Sequence, residues 1–298
     1  MNYILTLICN PSTAIINNTA QAIAIDSLKE LGAETKKTQW LAPGIACEIP
    51  FCNLDLETAK TTLQHNFQGL QIDVIVQTCA NRRKKFLIAD MDSTMVIGET
   101  LDDLAELAGL KDEVATITNM AMNGELQFVE ALKKRVKLLE GLSLDDLERT
   151  MSKIKLMPGG KTLVQTMKAN GAVAILVSGG FTYFTDRVRD LIGFDEAKGN
   201  KLEISNSKLT GEVLDPIIDN SAKLSILRKF AKKYKINRVD TLAVGDGAND
   251  LPMLLEADIG VAYHAKPAVA KRTQVRINHG DLTALLYLQG YRLEEFII

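Results

Sequence analysis

"FLIADMDSTMVIGET", residues 86–100, joins an unbroken apolar run to two aspartates two positions apart. Four consecutive apolar residues without alternation predict a strand buried on both faces, as in a parallel sheet covered by helices. Asp90 and Asp92 fall where that strand ends. Two close carboxylates repel and raise one another's pKa, yet a surface loop tolerates this in water, so the pair alone is not a site. What else the chain brings to the same place decides the matter.

Two further runs, "AVAILV" (172–177) and "TLAV" (241–244), repeat the pattern. All three pass straight into polar or glycine residues, "DMDST", "SGG" and "GDGAND", and helical periodicity separates them. Ligands in open α/β sheets sit just beyond the carboxyl ends of the strands, so the three motifs should converge on one crevice. Between the first two strands, "GETLDDLAELAGL", "GELQFVEALKKRVKLLEGL" and "SLDDLERTMSKI" carry more helix than a crossover needs. They predict a helical cap inserted at about 98–157. "KLEISNSKLTGEVL" (201–214) reads as a hairpin, and "NSAKLSILRKFAKKY" (220–234) as a helix capped by Asn220 or Ser221.

Residues 1–80 read differently, as β, α, β, β, α, β. The strands are expected at 3–9, 35–42, 44–51 and 72–78, and the helices at roughly 12–32, capped by Ser12, and 55–67. This order suits a small antiparallel sheet covered on one face by two helices. "NRRKK" (81–85) is expected to be a solvated basic linker at a domain boundary, with a second unit over 86–298.

Composition narrows the classes. The chain has 298 residues, long enough for two domains, and 46% hydrophobic with 24% charged residues argues against disorder. A formal net charge of −2 gives no electrostatic case for a nucleic-acid partner, and "NRRKK" alone does not supply one. No apolar run reaches the about 18 residues a membrane span needs, and no secretory pattern opens the chain, so the expectation is a cytoplasmic protein. Cys9, Cys47, Cys52 and Cys79 form no C-x-x-C pair, and His65 is the only histidine near them. They read as small buried hydrophobes in a reducing compartment rather than as a zinc site.

"DMDSTMV", "SGG", "NSAKL" and "GDGAND", in this order, resemble the haloacid dehalogenase superfamily of phosphotransferases. The likeness extends further: "ETLDDLAELAG", "MAMNGELQFVEALKKRVKLL" and "GGFT" are similar to the phosphoserine phosphatases of that superfamily. It covers residues 86–290 nearly continuously and implies a Rossmann-like parallel sheet with an inserted helical cap. Residues 1–80 look like an ACT-type regulatory module on element order alone.

The resemblance implies roles that the chemistry makes sensible. Phosphate monoester hydrolysis needs a positioned nucleophile, charge neutralisation and a proton for the leaving oxygen. Asp90 would be the nucleophile, forming an aspartyl-phosphate, and Asp92 the general acid and then base. Mg²⁺, a hard ion preferring oxygen, would be held by Asp90, Asp246 and the Asp92 backbone carbonyl, with Asp250 supporting them. Ser178, Gly179, Gly180 and Asn249 would bind phosphate, and Lys223 would clamp it. Phosphoserine also carries an ammonium and a carboxylate. Glu99 suits the first, and Arg135 suits the second by a two-pronged contact that lysine cannot imitate. Phe128, Leu132 and Arg135, at i, i+4 and i+7, share one helical face. Met122, Phe128 and Thr182 complete the substrate contacts that the resemblance implies.

The expected activity is therefore Mg²⁺-dependent hydrolysis of O-phospho-L-serine to L-serine and phosphate, the last step of serine biosynthesis. Two other readings compete. One is a sister phosphatase acting on another small phosphometabolite, which Glu99 and Arg135 argue against. The other is a catalytically vestigial amino-acid sensor, which loss of Asp90, Asp92, Lys223 or Asp246 would favour, and all four are present. Residues 1–80 would tune activity by binding an amino acid or by pairing with a second copy in a homodimer through exposed sheet edges.

Overall fold

The computed structural model describes residues 2–122 and 125–298, with Met122 and Asn220 described by their backbone alone. The first elements are β1 (Tyr3–Ile8), α1 (Asn18–Glu30), β2 (Glu34–Thr35), β3 (Gln39–Ala42), β4 (Ala46–Cys52), α2 (Leu56–Asn66) and β5 (Asp73–Thr78). They form an antiparallel sheet in the order β2-β4-β1-β5, with β3 also on β4. Alternation along β1 sends Leu5 and Leu7 into a core with Ala24, Leu28, Ala59 and Leu63 of the two helices. The opposite face is not left to water. Ile8, Ala46 and Ile75 belong to the same buried cluster as Leu285, Leu288 and Tyr291 of the second unit.

Three expectations for this region are corrected. The strand expected at 35–42 is broken into β2 and β3. The first helix starts at Asn18 because Asn17, not Ser12, accepts the Ala20 N–H. Ser12 is taken up in a turn with the Asn10 carboxamide oxygen (2.7 Å). Nor is the basic segment a solvated linker. Lys84 is 4% exposed, and its ammonium bonds the Val239 carbonyl (2.8 Å) and Asp258 (2.6 Å). Arg82 pairs with Glu48 and donates to the Leu288 carbonyl (3.0 Å), while Arg83 meets Glu295 (2.7 Å). Arg82 thus bridges the two units, while Arg83 and Lys84 fasten the segment to the second.

The second sheet is built from β6 (Phe86–Ala89), β7 (Val173–Phe181), β8 (Glu196–Ser205), β9 (Lys208–Leu214), β10 (Thr241–Gly245), β11 (Ile259–Tyr263) and β12 (Val275–Ile277). Its order is β12-β11-β10-β6-β7-β8-β9, parallel except for the hairpin β8-β9. Phe86, Leu87 and Ile88 are fully buried, and each such side chain contributes about 1.5–3 kcal/mol of transfer free energy. The central β6 lies between β7 and β10: the chain builds outward on one side through β7, β8 and β9, then crosses back to β10 on the other. That is the switch point where a ligand crevice opens. Asp90 and Asp246 directly follow β6 and β10, and Ser178 lies on β7 just beyond its pairing with β6.

Helices α7 (Gly160–Ala169), α8 (Thr182–Ile192), α9 (Asn220–Lys233), α10 (Leu251–Glu256), α11 (Pro267–Ala270) and α12 (Ala284–Tyr287) accompany the strands. Four more form the cap: α3 (Thr100–Leu107), α4 (Lys111–Met122), α5 (Phe128–Leu138) and α6 (Leu144–Lys153). The chain enters and leaves it side by side, through a Val96–Leu156 bridge and the Met157 N–H to Met95 carbonyl bond (2.9 Å). The hairpin reaches the cap as well, with Gly141 N–H donating to the Leu209 carbonyl (2.9 Å) and Leu209 N–H to Leu142 (2.8 Å). β7 also differs from expectation, since it runs on through "SGG" to Phe181 with an irregularity after Val177. Buried Asn200 explains this. Its amide donates to the Gly179 carbonyl and its oxygen accepts the Ile218 N–H, both at 2.7 Å.

Candidate active site

Asp90 follows β6 directly, with its N–H on the Val244 carbonyl of β10 (3.0 Å). The next turn folds on the Met91 carbonyl, which accepts N–H groups from Met95 (2.8 Å) and Val96 (3.0 Å). That tight turn is why D-x-D separates its two carboxylates. Asp90 points into the core of the motif cluster, whereas Asp92 accepts the Thr100 N–H at the start of α3 (2.9 Å) and the Ser178 hydroxyl (3.0 Å). The Ser178 oxygen in turn accepts the Gly180 N–H (2.7 Å). A Cβ on Gly180 would stand 2.9 Å from Asp92 Oδ2, so any larger residue would have to displace that carboxylate.

Lys223 lies in the first turn of α9, and its ammonium sits 2.6 Å from both Asp90 Oδ1 and Asp250 Oδ1. Burial opposes its charge, but Asp250 and Asp90 keep its pKa above the ordinary lysine value. The helix start is corrected: Asp219, rather than Asn220 or Ser221, is the cap, accepting the Ala222 N–H (2.8 Å). Burial and the neighbouring Asp250 push the Asp90 carboxyl well up, and Lys223 pulls it back.

Asp246 and Asp250 come from "GDGAND", which forms a short turn before α10. Asp250 Oδ2 accepts the Gly247 N–H (3.0 Å), and a Cβ on Gly245 would lie 2.5 Å from that carboxyl group. Oxygens of Asp90, Asp246 and Asp250 all lie within 4.8 Å of one another. Among the described residues, only one ammonium, Lys223, is in direct contact with the group. Burial, then Asp250, pushes Asp246 up to about 6. Three hard oxygen donors with excess negative charge fit a divalent cation such as Mg²⁺.

A cavity of about 430 Å³ opens over this cluster, within the usual range for small-molecule sites. Asp90, Asp92, Ser178, Gly179, Gly180, Asp246 and Asn249 line its floor. Glu99, Phe128, Leu132 and Arg135 line its cap side, so the stripe read from α5 does face the motifs. Burial and Asp92 push Glu99 up to about 7, against a hydrogen bond from the Ser93 hydroxyl (2.9 Å). Arg135 is drawn down by burial and supported by Asp102 and Glu99. Its guanidinium reaches the Thr118 hydroxyl at 3.5 Å, a long contact that leaves donors for a ligand.

Two expected residues stand apart. Thr182 is absent from the cavity wall and lines a smaller depression with Tyr183, Asp186 and Arg187, because it opens α8 after the buried Phe181. The Met122 side chain lies outside the described residues. Among the wall residues not anticipated are the polar Asp102, Thr118 and Lys266. Lys266 follows β11, and reading "IGVAY" as a fourth strand running into "HAKP" would have pointed to it.

Comparison with known proteins agrees with this geometry. Residues 87–255 match the family of haloacid dehalogenase-like hydrolases. The chain is 42% identical over 233 residues to a phosphoserine phosphatase of Archaeoglobus fulgidus, covering 78% of this chain and 68% of that one. It is 36% identical over 296 residues to a phosphoserine phosphatase of Streptomyces coelicolor, covering 98% and 71%. Among solved structures it is similar to an unliganded probable phosphoserine phosphatase of Vibrio cholerae, with a TM-score of 0.79 and 29% identity over 99% of this chain and 88% of that one.

Proposed function

Since the chain belongs to the haloacid dehalogenase-like hydrolases, among the phosphoserine phosphatases, we propose that it hydrolyses O-phospho-L-serine to L-serine and phosphate as the last step of serine biosynthesis. The observation that carries this reading is one cavity holding Asp90 and Asp92 on its floor with Glu99 and Arg135 across from them. A generic phosphatase needs the floor. Only a substrate with both an ammonium and a carboxylate needs Glu99 and Arg135 together.

The carboxylate of Asp90 attacks phosphorus, and the P–O bond to the serine oxygen breaks. Asp92 gives its proton to that leaving oxygen, so serine departs neutral at its hydroxyl and Asp90 is phosphorylated. Asp92, now ionised, takes a proton from water as the water oxygen attacks phosphorus. The P–O bond to Asp90 breaks, inorganic phosphate leaves, and both carboxyl groups return to their starting states. The hydrogen bonds from Thr100 and Ser178 hold Asp92 in place throughout. Gly179, Gly180 and Asn249 offer polar groups to the phosphoryl oxygens, and Lys223 balances their charge from beside Asp90.

Asp90, Asp246 and the Asp92 backbone carbonyl would hold Mg²⁺, with Asp250 behind them. When bound, such an ion neutralises phosphate charge and polarises the phosphoryl group. Glu99 would take the substrate ammonium, Arg135 its carboxylate, and Phe128 would close over the apolar methylene.

Residues 1–80 are proposed to be an ACT-like module that tunes activity by binding an amino acid or by joining two copies of the chain. Their antiparallel sheet and their order, βαββαβ once the broken β2 and β3 are taken as one strand, support this. Among the described residues no helix is long and apolar enough to cross a membrane, and a cytoplasmic location is proposed on the four unpaired cysteines.

The deciding experiment follows phosphate release from L-phosphoserine, phosphothreonine and p-nitrophenyl phosphate, with Mg²⁺ and with EDTA. Turnover that needs the metal and strongly favours phosphoserine is expected. Metal-dependent turnover without that preference would move the substrate elsewhere, and no turnover would favour the sensor.

A further inference from the structure

Away from the cavity, one heavily committed buried charge is Asp73, the first residue of β5 in the N-terminal sheet. It is 3% exposed. Its carboxylate accepts backbone N–H groups from Asn278 (2.7 Å), His279 (3.1 Å) and Gly280 (2.8 Å), all in the segment after β12. A buried carboxylate is costly unless such donors replace water, so one side chain of the first unit fixes the backbone shape of a loop in the second. Asn10 adds a bond from its amide to the His279 carbonyl (3.2 Å).

That loop is bonded onward to the active site. The Gly280 carbonyl pairs with His264 Nε2 at 2.9 Å, which makes Nε2 the protonated nitrogen. His264 N–H donates to the Ile277 carbonyl (2.8 Å), and its φ of +44 lies in the left-handed region, where an L residue stays only when held. Two residues later Lys266 N–H donates to the Asp246 carbonyl (3.3 Å), and the exposed Lys266 side chain lines the cavity.

We propose that Asp73 is a positioning residue for the active site: it orders residues 278–280, these hold His264, and His264 sets the loop that brings Lys266 to the cavity and braces the Asp246 backbone. Lys266 is thereby a further cation facing the dianionic phosphate ester. Its catalytic part rests on the phosphoserine reading, whereas its structural part does not. The N-terminal sheet is then a supporting wall of the phosphatase.

Asp73→Asn keeps the size but turns an amide group toward N–H donors. In the full-length protein it should raise both the KM for phosphoserine and the Mg²⁺ concentration giving half the maximal rate, by about 3- to 10-fold, inside the roughly 2- to 30-fold span of couplings carried through contact networks. Without metal or substrate, amide hydrogen exchange across 264–270 should quicken. His264→Ala should act in the same direction, and the double variant should be no worse than the worse single one, as for residues on one path. Unchanged exchange across 264–270, or effects that multiply, would overturn the proposal. So would lowered thermal stability with KM and Mg²⁺ dependence intact, the mark of a merely structural residue. If Asp73→Asn does not fold, His264→Ala decides by the same two readouts. If the unaltered protein fails to hydrolyse phosphoserine, the functional reading falls. The exchange pattern, with Mg²⁺ binding followed by its shift of thermal unfolding, still decides the positioning chain.

Discussion

The division of labour between Asp90 and Asp92 comes from what each carboxylate touches. Asp90 sits against an ammonium in a buried cluster, and Asp92 is held by one N–H and one hydroxyl at the cavity wall. Replacing Asp92 by Asn keeps the size and one of the two acceptor oxygens but removes the transferable proton. Turnover should fall about 10²- to 10⁴-fold, the usual worth of a positioned acid–base group, while KM for phosphoserine changes little. Steady-state phosphate release from Asp92→Asn checks this, and near-normal kcat would assign the proton to another group. Glu99 yields a pH prediction. Its carboxyl is pushed up to about 7, so its charge is present above that pH and lost as pH falls through it. The KM for phosphoserine should therefore rise as pH drops below about 7, while that for p-nitrophenyl phosphate, which lacks an ammonium, should not follow. Glu99→Gln should flatten the difference between the two profiles. Parallel profiles in the unaltered protein would remove Glu99 from the ammonium site.

At the scale of elements, the strand-end motifs were legible because a doubly covered strand must be apolar and a phosphate site must be polar and glycine-rich. The change from one to the other is sharp in "FLIADMD" and "TLAVGDG". β11 and β12 escaped notice because "LPMLLEADIGVAY" carries apolar residues from α10 into β11 with little polar punctuation. Lys266 was lost with them. Helix starts were misread for another reason. Several capping residues stand together in "DNSAK", and only the backbone path decides that Asp219 takes the role. Asp219→Ala should cost about 1 kcal/mol of stability, as for other lost caps. It should also lower kcat, because the first turn of α9 holds Lys223 beside Asp90. Asp219→Ser should restore most of both. Urea unfolding beside phosphate release tests the pair, and a stability loss with full kcat would show that Lys223 keeps its place without the cap.

For the whole molecule, "NRRKK" looked like a flexible joint because charge usually means solvent, yet the pairing of Lys84 with Asp258 and Arg82 with Glu48 joins residues far apart in sequence. No local pattern announces such partners. The seam is continuous, with Asp73 on residues 278–280, Gln64 accepting from Arg276 (2.8 Å), and Ile8, Ala46 and Ile75 within the larger core. Separate domains joined by a solvated linker would melt independently. Two units sharing buried charge and apolar surface should unfold together. The chain has a single tryptophan, Trp40 on β3, which reports on the first unit alone. Catalytic activity reports on the second. On heating, the change in Trp40 fluorescence should coincide with the loss of phosphate release and with the far-ultraviolet circular dichroism transition. Lys84→Met removes the buried ammonium and leaves Asp258 unpaired, so it should lower that common midpoint without separating the probes. A Trp40 transition at a clearly different temperature from the loss of activity would mean that the seam is too weak to couple the units. The N-terminal sheet would then act on the active site only through a ligand or a second copy.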